Sequence, residues 1–190
     1  MYHIYTTKAL VCGSFLQGNA DKVFLLFTKD LGMLYATAKS VREERSKQRF
    51  ALQEFSLIKV SLIRGKQSWR IGSVESERNY FHEAVDRQAR GSVVLIFKTL
   101  RRFIHGEESL VPLFDFCLSA LQGISKEINP REFIDLMIQV KILDELGYIS
   151  EDLSIDLKTT DFTHFLNYQE NLSNRKLEAL LEKAIENSHL

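Results

Sequence analysis

The sequence predicts an α+β fold in two segregated parts, a small five-stranded β-barrel followed by an α-helical bundle. Three observations carry this. The apolar residues of the first eighty positions are β-branched and aromatic, strand-like in pattern, and broken by short Gly, Asn or Asp signals. Beyond Tyr80 the apolar period becomes helical. The charge divides at the same place: residues 1–80 hold 13 Lys/Arg against 7 Asp/Glu and residues 81–190 hold 12 against 18, so a formal net charge of zero conceals +6 and −6.

Ile4 to Phe15 reads as a long first strand, with Gly13 offering a bend or bulge where a curved sheet needs one. Lys22 to Thr28 is the second, apolar enough to be buried on both faces, and Lys29 to Gly32 turns it into a third strand from Met33 to Ala38. Leu52 to Ile63 is the fourth, with Ile58, Val60 and Leu62 on one face and Lys59 and Ser61 on the other. Arg64-Gly65-Lys66 turns into the fifth, Trp69 to Ser76. Five short antiparallel strands in about 75 residues fit a closed barrel of the oligonucleotide-binding (OB) type.

In the second part, Val93, Val94, Ile96, Phe97, Leu100, Phe103 and Ile104 form an apolar helical stripe closed by Gly106. Leu110 to Leu121 is apolar almost all round, which predicts the centre of a bundle. Asn129-Pro130-Arg131-Glu132 is a helix start: Asn caps, Pro occupies the first turn where its missing N–H costs nothing, and Glu132 reaches back to the cap. That helix runs to Leu146, where Gly147 stops it, and a last helix spans roughly Asn174 to Asn187. No Pro/Gly/Ser linker separates the parts, so the boundary near Asn79 is tight and the domains are expected at 1–79 and 80–190.

The 190 residues, 45% hydrophobic and 11% aromatic, suffice for buried cores. Cys12 and Cys117 are the only cysteines and form no CxxC, so neither a disulfide framework nor a zinc knot can be read; both are expected as buried thiols in a reducing compartment. No apolar run reaches the ~18 residues a membrane span needs, and the N-terminus shows no leader pattern, so a cytoplasmic protein is expected.

The eighteen residues from Ala38 to Phe55 are the most informative stretch. Lys39, Arg42, Arg45, Lys47 and Arg49 lie between two strand-like segments, a natural place for a phosphate backbone, because each neutralised phosphate releases condensed counterions. A solvated hairpin loop would carry such charges too, and Glu43 and Glu44 dilute them. Lys22, Arg64 and Lys66 are additional cations of the same half. Phe15, Tyr35, Phe50 and Trp69 are the candidate rings for base stacking, with Phe50 foremost because it sits in the basic loop and Tyr35 next because its face opposes Leu34 and Ala36.

Chemistry is not in evidence. His3, His82, His105, His164 and His189 are scattered, with no i, i+4 pair of the metal-binding kind. There is no phosphate-binding glycine loop and no nucleophile elbow, and the pairs Glu107-Glu108 and Glu151-Asp152 lie beside helix termini where solvated charge is routine. The protein is expected not to be an enzyme and to use no cofactor.

With these elements placed, the chain resembles the RecO family of bacterial recombination mediators. The residues that carry the likeness are Ala9-Leu10-Val11, Gly18, Asp21, Leu26-Phe27-Thr28, Gly32, Ala38-Lys39, Arg42, the basic run to Arg49, Ala51-Leu52-Gln53, Phe55 and Arg64-Gly65. Leu113-Phe114 and the stretch from Ile138 to Tyr148 extend it into the helical half, and it fades after Ser150. Many members then carry four cysteines as a zinc site; this chain has none there, so zinc is not carried over. Ser40 stands where the family usually has Gly, Glu43 where a basic residue is common and Glu54 where Pro is usual, which predicts weaker DNA affinity.

The resemblance implies a nucleoid-associated DNA repair mediator that binds single- and double-stranded DNA and anneals complementary strands. With RecR it would help load RecA onto strands coated by single-strand-binding protein, whose acidic, Phe-ended tail would dock on the helical domain. Lys39, Arg42, Arg45, Lys47, Arg49, Phe50, Lys22, Arg64, Lys66 and Tyr35 are the expected DNA contacts. Arg101, Arg102, Arg131 and Lys141 are the cations available to rim the partner slot. Two alternatives stay open: an adaptor bridging RecR and the coating protein with little DNA binding of its own, and an RNA-binding OB protein.

Overall fold

Five strands, β1 (Ile4–Gln17), β2 (Asp21–Thr28), β3 (Gly32–Ala38), β4 (Ser56–Arg64) and β5 (Trp69–Asn79), pair in the closed order β1-β2-β3-β5-β4. This is the expected OB-type barrel in a computed structural model that describes residues 3–66, 68–126, 131–149, 157, 161–168 and 172–188. The chain divides into two units, Met1–Glu83 with His105–Val111 and Ala84–Ile104 with Pro112–Leu190.

The length of β1 has a mechanical reason. Its first half pairs with β4 (Ile4↔Ile63 to Leu10↔Leu57) and its second with β2 (Ala9↔Thr28 to Gln17↔Asp21), so one strand serves two neighbours. It turns the corner at a register shift between Val11 and Gly13, the irregularity the glycine foretold. Four pairings are antiparallel. The closing one, β3 with β5 through Ala36↔Trp69 and Thr37↔Arg70, is parallel, so the expectation of an all-antiparallel barrel is corrected. Hairpin logic sees only consecutive strands; β3 and β5 are joined by a long excursion and meet because the barrel has to close.

Every second residue fills the barrel. Phe24 and Leu26, Leu34, Ala36 and Ala38, Ile58, Val60 and Leu62, and Trp69 and Ile71 form one buried cluster with Ala9 and Val11. Small alanines face large rings, as a tapered interior requires. β2 is buried on both faces as its composition predicted, because Val23 and Phe27 are buried as well. Gly32 opens β3 at a φ of +68°, and a Cβ there would collide with the Glu108 backbone. The segment 105–111 therefore lies directly on this turn, and Met33 N donates to Gly106 O at 3.0 Å.

The fourth strand starts at Ser56, later than the apolar run from Leu52 suggests. A short helix α1 (Gln48–Ala51) intervenes, and Phe55 takes a φ of +69° before the chain enters the sheet. Phe55 N donates to Val11 O at 3.0 Å, and its ring stacks on Phe81 at 5.3 Å.

The second unit is helical. After the short α2 (Tyr80–Glu83), α3 (Arg87–Phe103) is capped by Asp86, whose carboxylate accepts from Ala89 N at 2.6 Å. α4 (Val111–Ile124) is buried along its length through Leu113, Phe114, Phe116, Cys117, Ala120, Leu121 and Ile124. α5 (Arg131–Glu145) packs against α3, α6 (Asn174–Asn187) and a 3-10 turn, Phe162–Tyr168. Its end is a Schellman cap: Gly147 at φ +78° donates to Asp144 O, and Tyr148 N donates to Leu143 O, each at 2.9 Å. The proposed start at Asn129-Pro130 lies outside the described residues, as do Glu151-Asp152 and His189. Glu132 of that start accepts from Asn174 Nδ2 at 3.1 Å. Both cysteines are buried. No described helix is long and apolar enough to cross a membrane.

Candidate nucleic-acid interface

The basic stretch between β3 and β4 is anchored at both ends by apolar pegs. Val41 and Leu52 are buried in the barrel cluster, so the ten residues between them form a cap over one end of the barrel. Polar bonds fix the cap to the β1–β2 turn: Arg42 N donates to Ala20 O at 3.0 Å, Arg42 Nη1 to Asn19 O at 2.8 Å, and Ser40 N to the Asp21 carboxylate at 2.7 Å. On the other side Gln48 Nε2 donates to Gly72 O at 3.0 Å. Ser40 takes a φ of +52°, a left-handed backbone that strains a residue with a Cβ.

This construction leaves the loop cations outside, since Lys39, Arg42, Arg45, Lys47 and Arg49 are all exposed. Their electrostatic states differ. Arg45 is paired with Glu43 (Nε to Oε2 3.0 Å), and that hydrogen bond, helped by one from Ser40, holds the Glu43 carboxyl below the usual range. Lys39 lies 3.8 Å from Asp21. Among the described residues Arg42 donates to the carbonyls of Gly18 and Asn19 and takes part in no ion pair. Arg49 lies over the Phe50 ring at 4.6 Å, and no ion pair involves Lys47, Arg49 or the half-buried Lys22 among the described residues.

Two clefts result. One, about 270 Å³, is bounded by Lys22, Arg42 and Arg49 over a floor of Phe24, Val41 and Leu52, with no carboxylate in its lining. Its neighbour, about 440 Å³, is lined by Lys39, Glu43 and Arg45 and is partly self-neutralised, because Glu43 pairs with Arg45.

Arg64 behaves differently. Its Nη1 contacts both Glu107 oxygens (2.8 and 2.6 Å) and its guanidinium covers Trp69 at 4.6 Å, while Trp69 Nε1 donates to the same carboxylate at 2.9 Å. Glu107 thus has a structural partner rather than a solvated role, and Arg64 is neutralised. Trp69 is buried, with Tyr5 edge-on at 5.4 Å, so it has no face for a base. Lys66 is exposed at the β4–β5 turn. Phe50 is 64% exposed, and Tyr35 meets Phe15 edge to face at 6.0 Å on the barrel exterior, both rings more than half exposed. Arg70, exposed and opposite Thr37, joins this side only through the parallel β3–β5 register, which is why sequence reasoning missed it.

The four helical cations separate as well. Arg101 and Arg102 are exposed at the end of α3. Arg131 is spent on the fold, donating to Ile124 O at 3.1 Å, Lys126 O at 2.9 Å and Ser92 Oγ at 3.2 Å. It borders a groove of about 460 Å³ between α3 and α5, where burial raises the Asp135 carboxyl against the opposing pull of Ser92 and Arg131. Lys141 is 3% exposed, paired with Glu145 and near the Phe116 ring, so it cannot rim a surface slot. No group of three or more His, Cys, Asp or Glu suited to a metal ion occurs among the described residues.

Residues 1–80, the barrel and its cap, match the family model described as "Recombination protein O N terminal". Over these residues the chain is similar to the RecO family. It is 26% identical over 149 residues to the DNA repair protein RecO of Dehalococcoides mccartyi, covering 78% of this chain and 58% of the relative. To the RecO of Caldanaerobacter subterraneus subsp. tengcongensis it is 29% identical over 146 residues, 75% of this chain and 58% of the relative. To that of Heliobacterium modesticaldum it is 28% identical over 150 residues, 78% and 53% respectively. The chain thus spans a little over half the length of the curated RecO relatives it matches. The resemblance to RecO proteins read along most of the sequence is borne out.

Proposed function

We propose that this chain is a DNA repair and recombination mediator whose barrel cap holds the sugar-phosphate backbone of single- and double-stranded DNA. The observation that carries the reading is the pegged cap, which presents Arg42, Lys47 and Arg49 beside Lys22 with no carboxylate partner among the described residues. Contacts of this kind go to phosphates rather than base edges, so binding is sequence-tolerant and weakened by salt. Phe50 and Tyr35 offer exposed rings to unstacked bases, which favours single strands. Arg45, Lys39 and Lys66 add long-range attraction, while Arg64 contributes through folding.

In this role the protein anneals complementary strands and, with RecR, helps load RecA onto DNA coated by single-strand-binding protein. Its helical unit takes the tail of that coating protein at a surface rimmed by Arg101 and Arg102. A strand-annealing assay tests the core of the reading: replacing Arg42, Arg45, Lys47 and Arg49 by Ala abolishes both annealing and DNA retention. Capture by a tail peptide that depends on its terminal Phe tests the second part.

The pairing of Arg45 with Glu43, Lys39 with Asp21 and Arg64 with Glu107 favours one alternative, an adaptor that bridges RecR and the coating protein with little DNA contact. Annealing unchanged in the fourfold variant supports that alternative. Strong preference for oligo-U over oligo-dT instead points to an RNA-binding barrel.

A further inference from the structure

We propose that the cleft bounded by Lys22, Arg42 and Arg49 is a seat for a phosphate monoester, the group presented by a 5′-phosphorylated strand end. The inference rests on the reading of the cap as a DNA interface and names the ligand of one part of it.

Three cations converge there on about 270 Å³, and none of the six lining residues is acidic. The adjacent cleft differs, because its lining includes Glu43, which pairs with Arg45. Cations therefore outnumber carboxylates by three to none in one cleft and by two to one in the next. The floor of Phe24, Val41 and Leu52 is apolar and buried, which lowers the local dielectric and strengthens attraction for an anion.

The cations are also positioned. Arg42 is held by the Asn19 carbonyl through one terminal nitrogen, and the Arg49 guanidinium carbon lies 4.6 Å from the centre of the Phe50 ring. Lys22 is tethered on β2, in register with Leu16 and Ala38. Charge matching then selects the ligand. A backbone diester carries a single negative charge, whereas a monoester carries about −1.5 to −2 at pH 7 with a second pKa near 6. Three unneutralised cations suit the second. The volume suits a phosphate with its sugar, at the low end of small-ligand sites, and the exposed Phe50 ring beside Arg49 can take the terminal base.

Three oligo-dT strands of equal length, bearing a 5′-phosphate, a 3′-phosphate or no terminal phosphate, are compared by fluorescence anisotropy with the full chain. The 5′-phosphorylated strand is expected to bind roughly fivefold tighter than the unphosphorylated one, the scale of one added charge-assisted contact at a partly exposed site. Lys22→Gln and Arg49→Gln each bring the ratio close to one. With the wild-type protein the ratio falls as pH drops through about 6, where the monoester gains its second proton.

Equal affinity for all three strands overturns the assignment and leaves the DNA-binding reading intact; absence of binding by any strand removes both. Thymidine 5′-monophosphate is the arm for a free nucleotide. If it competes while the strands show no end preference, the monoester is a free nucleotide and the strand-end assignment is wrong.

Discussion

Two cationic sides of the barrel carry similar numbers of basic residues and very different amounts of usable charge. On the side built from β1, β4 and β5, Lys8 is paired with Glu77 at 2.9 Å, Arg64 with Glu107, and Arg78 with Glu83 at 3.6 Å. Over the barrel end Arg45 pairs with Glu43 and Lys39 lies near Asp21, but Arg42 contacts carbonyls, and Lys22, Lys47 and Arg49 form no ion pair among the described residues. Counting Lys and Arg along the chain cannot separate these sides; the partner atoms do. Attraction for phosphate depends on charges whose counterions are mobile salt rather than fixed carboxylates.

The largest expected effect breaks the two sides apart directly. Replacing Lys22, Lys47 and Arg49 by Ala weakens oligo-dT binding about 100-fold at ~0.1 M salt, from the loss of roughly three phosphate contacts. Replacing Lys8, Arg64 and Arg78 by Ala changes it about twofold or less, because exposed pairs contribute little beyond themselves. Anisotropy titrations of both triple variants against the same strand supply the comparison.

Next in size, Gly32→Ala attacks the support of the paired side. A Cβ at φ +68° is strained and collides with the Glu108 backbone, which displaces the segment that brings Glu107 to Arg64. Urea unfolding is expected to show a loss of about 2 kcal/mol or more. Glu107→Ala sharpens the same point, since it leaves the buried Trp69 N–H without its acceptor; a loss of about 1 kcal/mol is expected by the same measurement.

Glu43→Gln probes the boundary between the two kinds of cation. Freeing Arg45 is expected to tighten oligo-dT binding by about two- to threefold at low salt. The same release follows acidification. The Glu43 carboxyl is held low by Arg45, so the pair persists through the ordinary carboxylate range and lets go only as pH falls through that lowered value. Any stabilisation from the pair is present above the unfolded carboxylate range and is lost over the same descent.

In the helical unit the smallest change is expected from Asp135→Asn. Burial raises this carboxyl, so its ionised form opposes folding: the native state holds the proton more tightly, and stability contributed by that group declines as pH rises from its unfolded to its folded pKa. Asn at 135 flattens that slope in pH-dependent urea melts.

Much of the barrel was legible because its strands alternate. Ile58, Val60 and Leu62 point inward with Lys59 exposed between them, and Gly13 marks the bulge of β1. The cap was legible as a basic stretch but not as an anchored one, because Val41 and Leu52 become pegs only when the barrel they plug exists. Helix α1 was hidden for a different reason: four residues carry too little periodicity to register. Lys141 and Arg131 read as surface cations, yet one pairs beneath the surface with Glu145 and the other binds carbonyls near the end of α4. Glu107 is 43 residues from Arg64, and nothing local in either segment announces their contact.

The salt dependence of oligo-dT affinity tests the central claim most directly. If the cap engages four or five phosphates, log affinity falls with log salt at a slope of roughly −3 to −4, and the slope shrinks by about 2 when Lys22, Lys47 and Arg49 are Ala. A wild-type slope near zero, or one unchanged in that variant, would contradict the account.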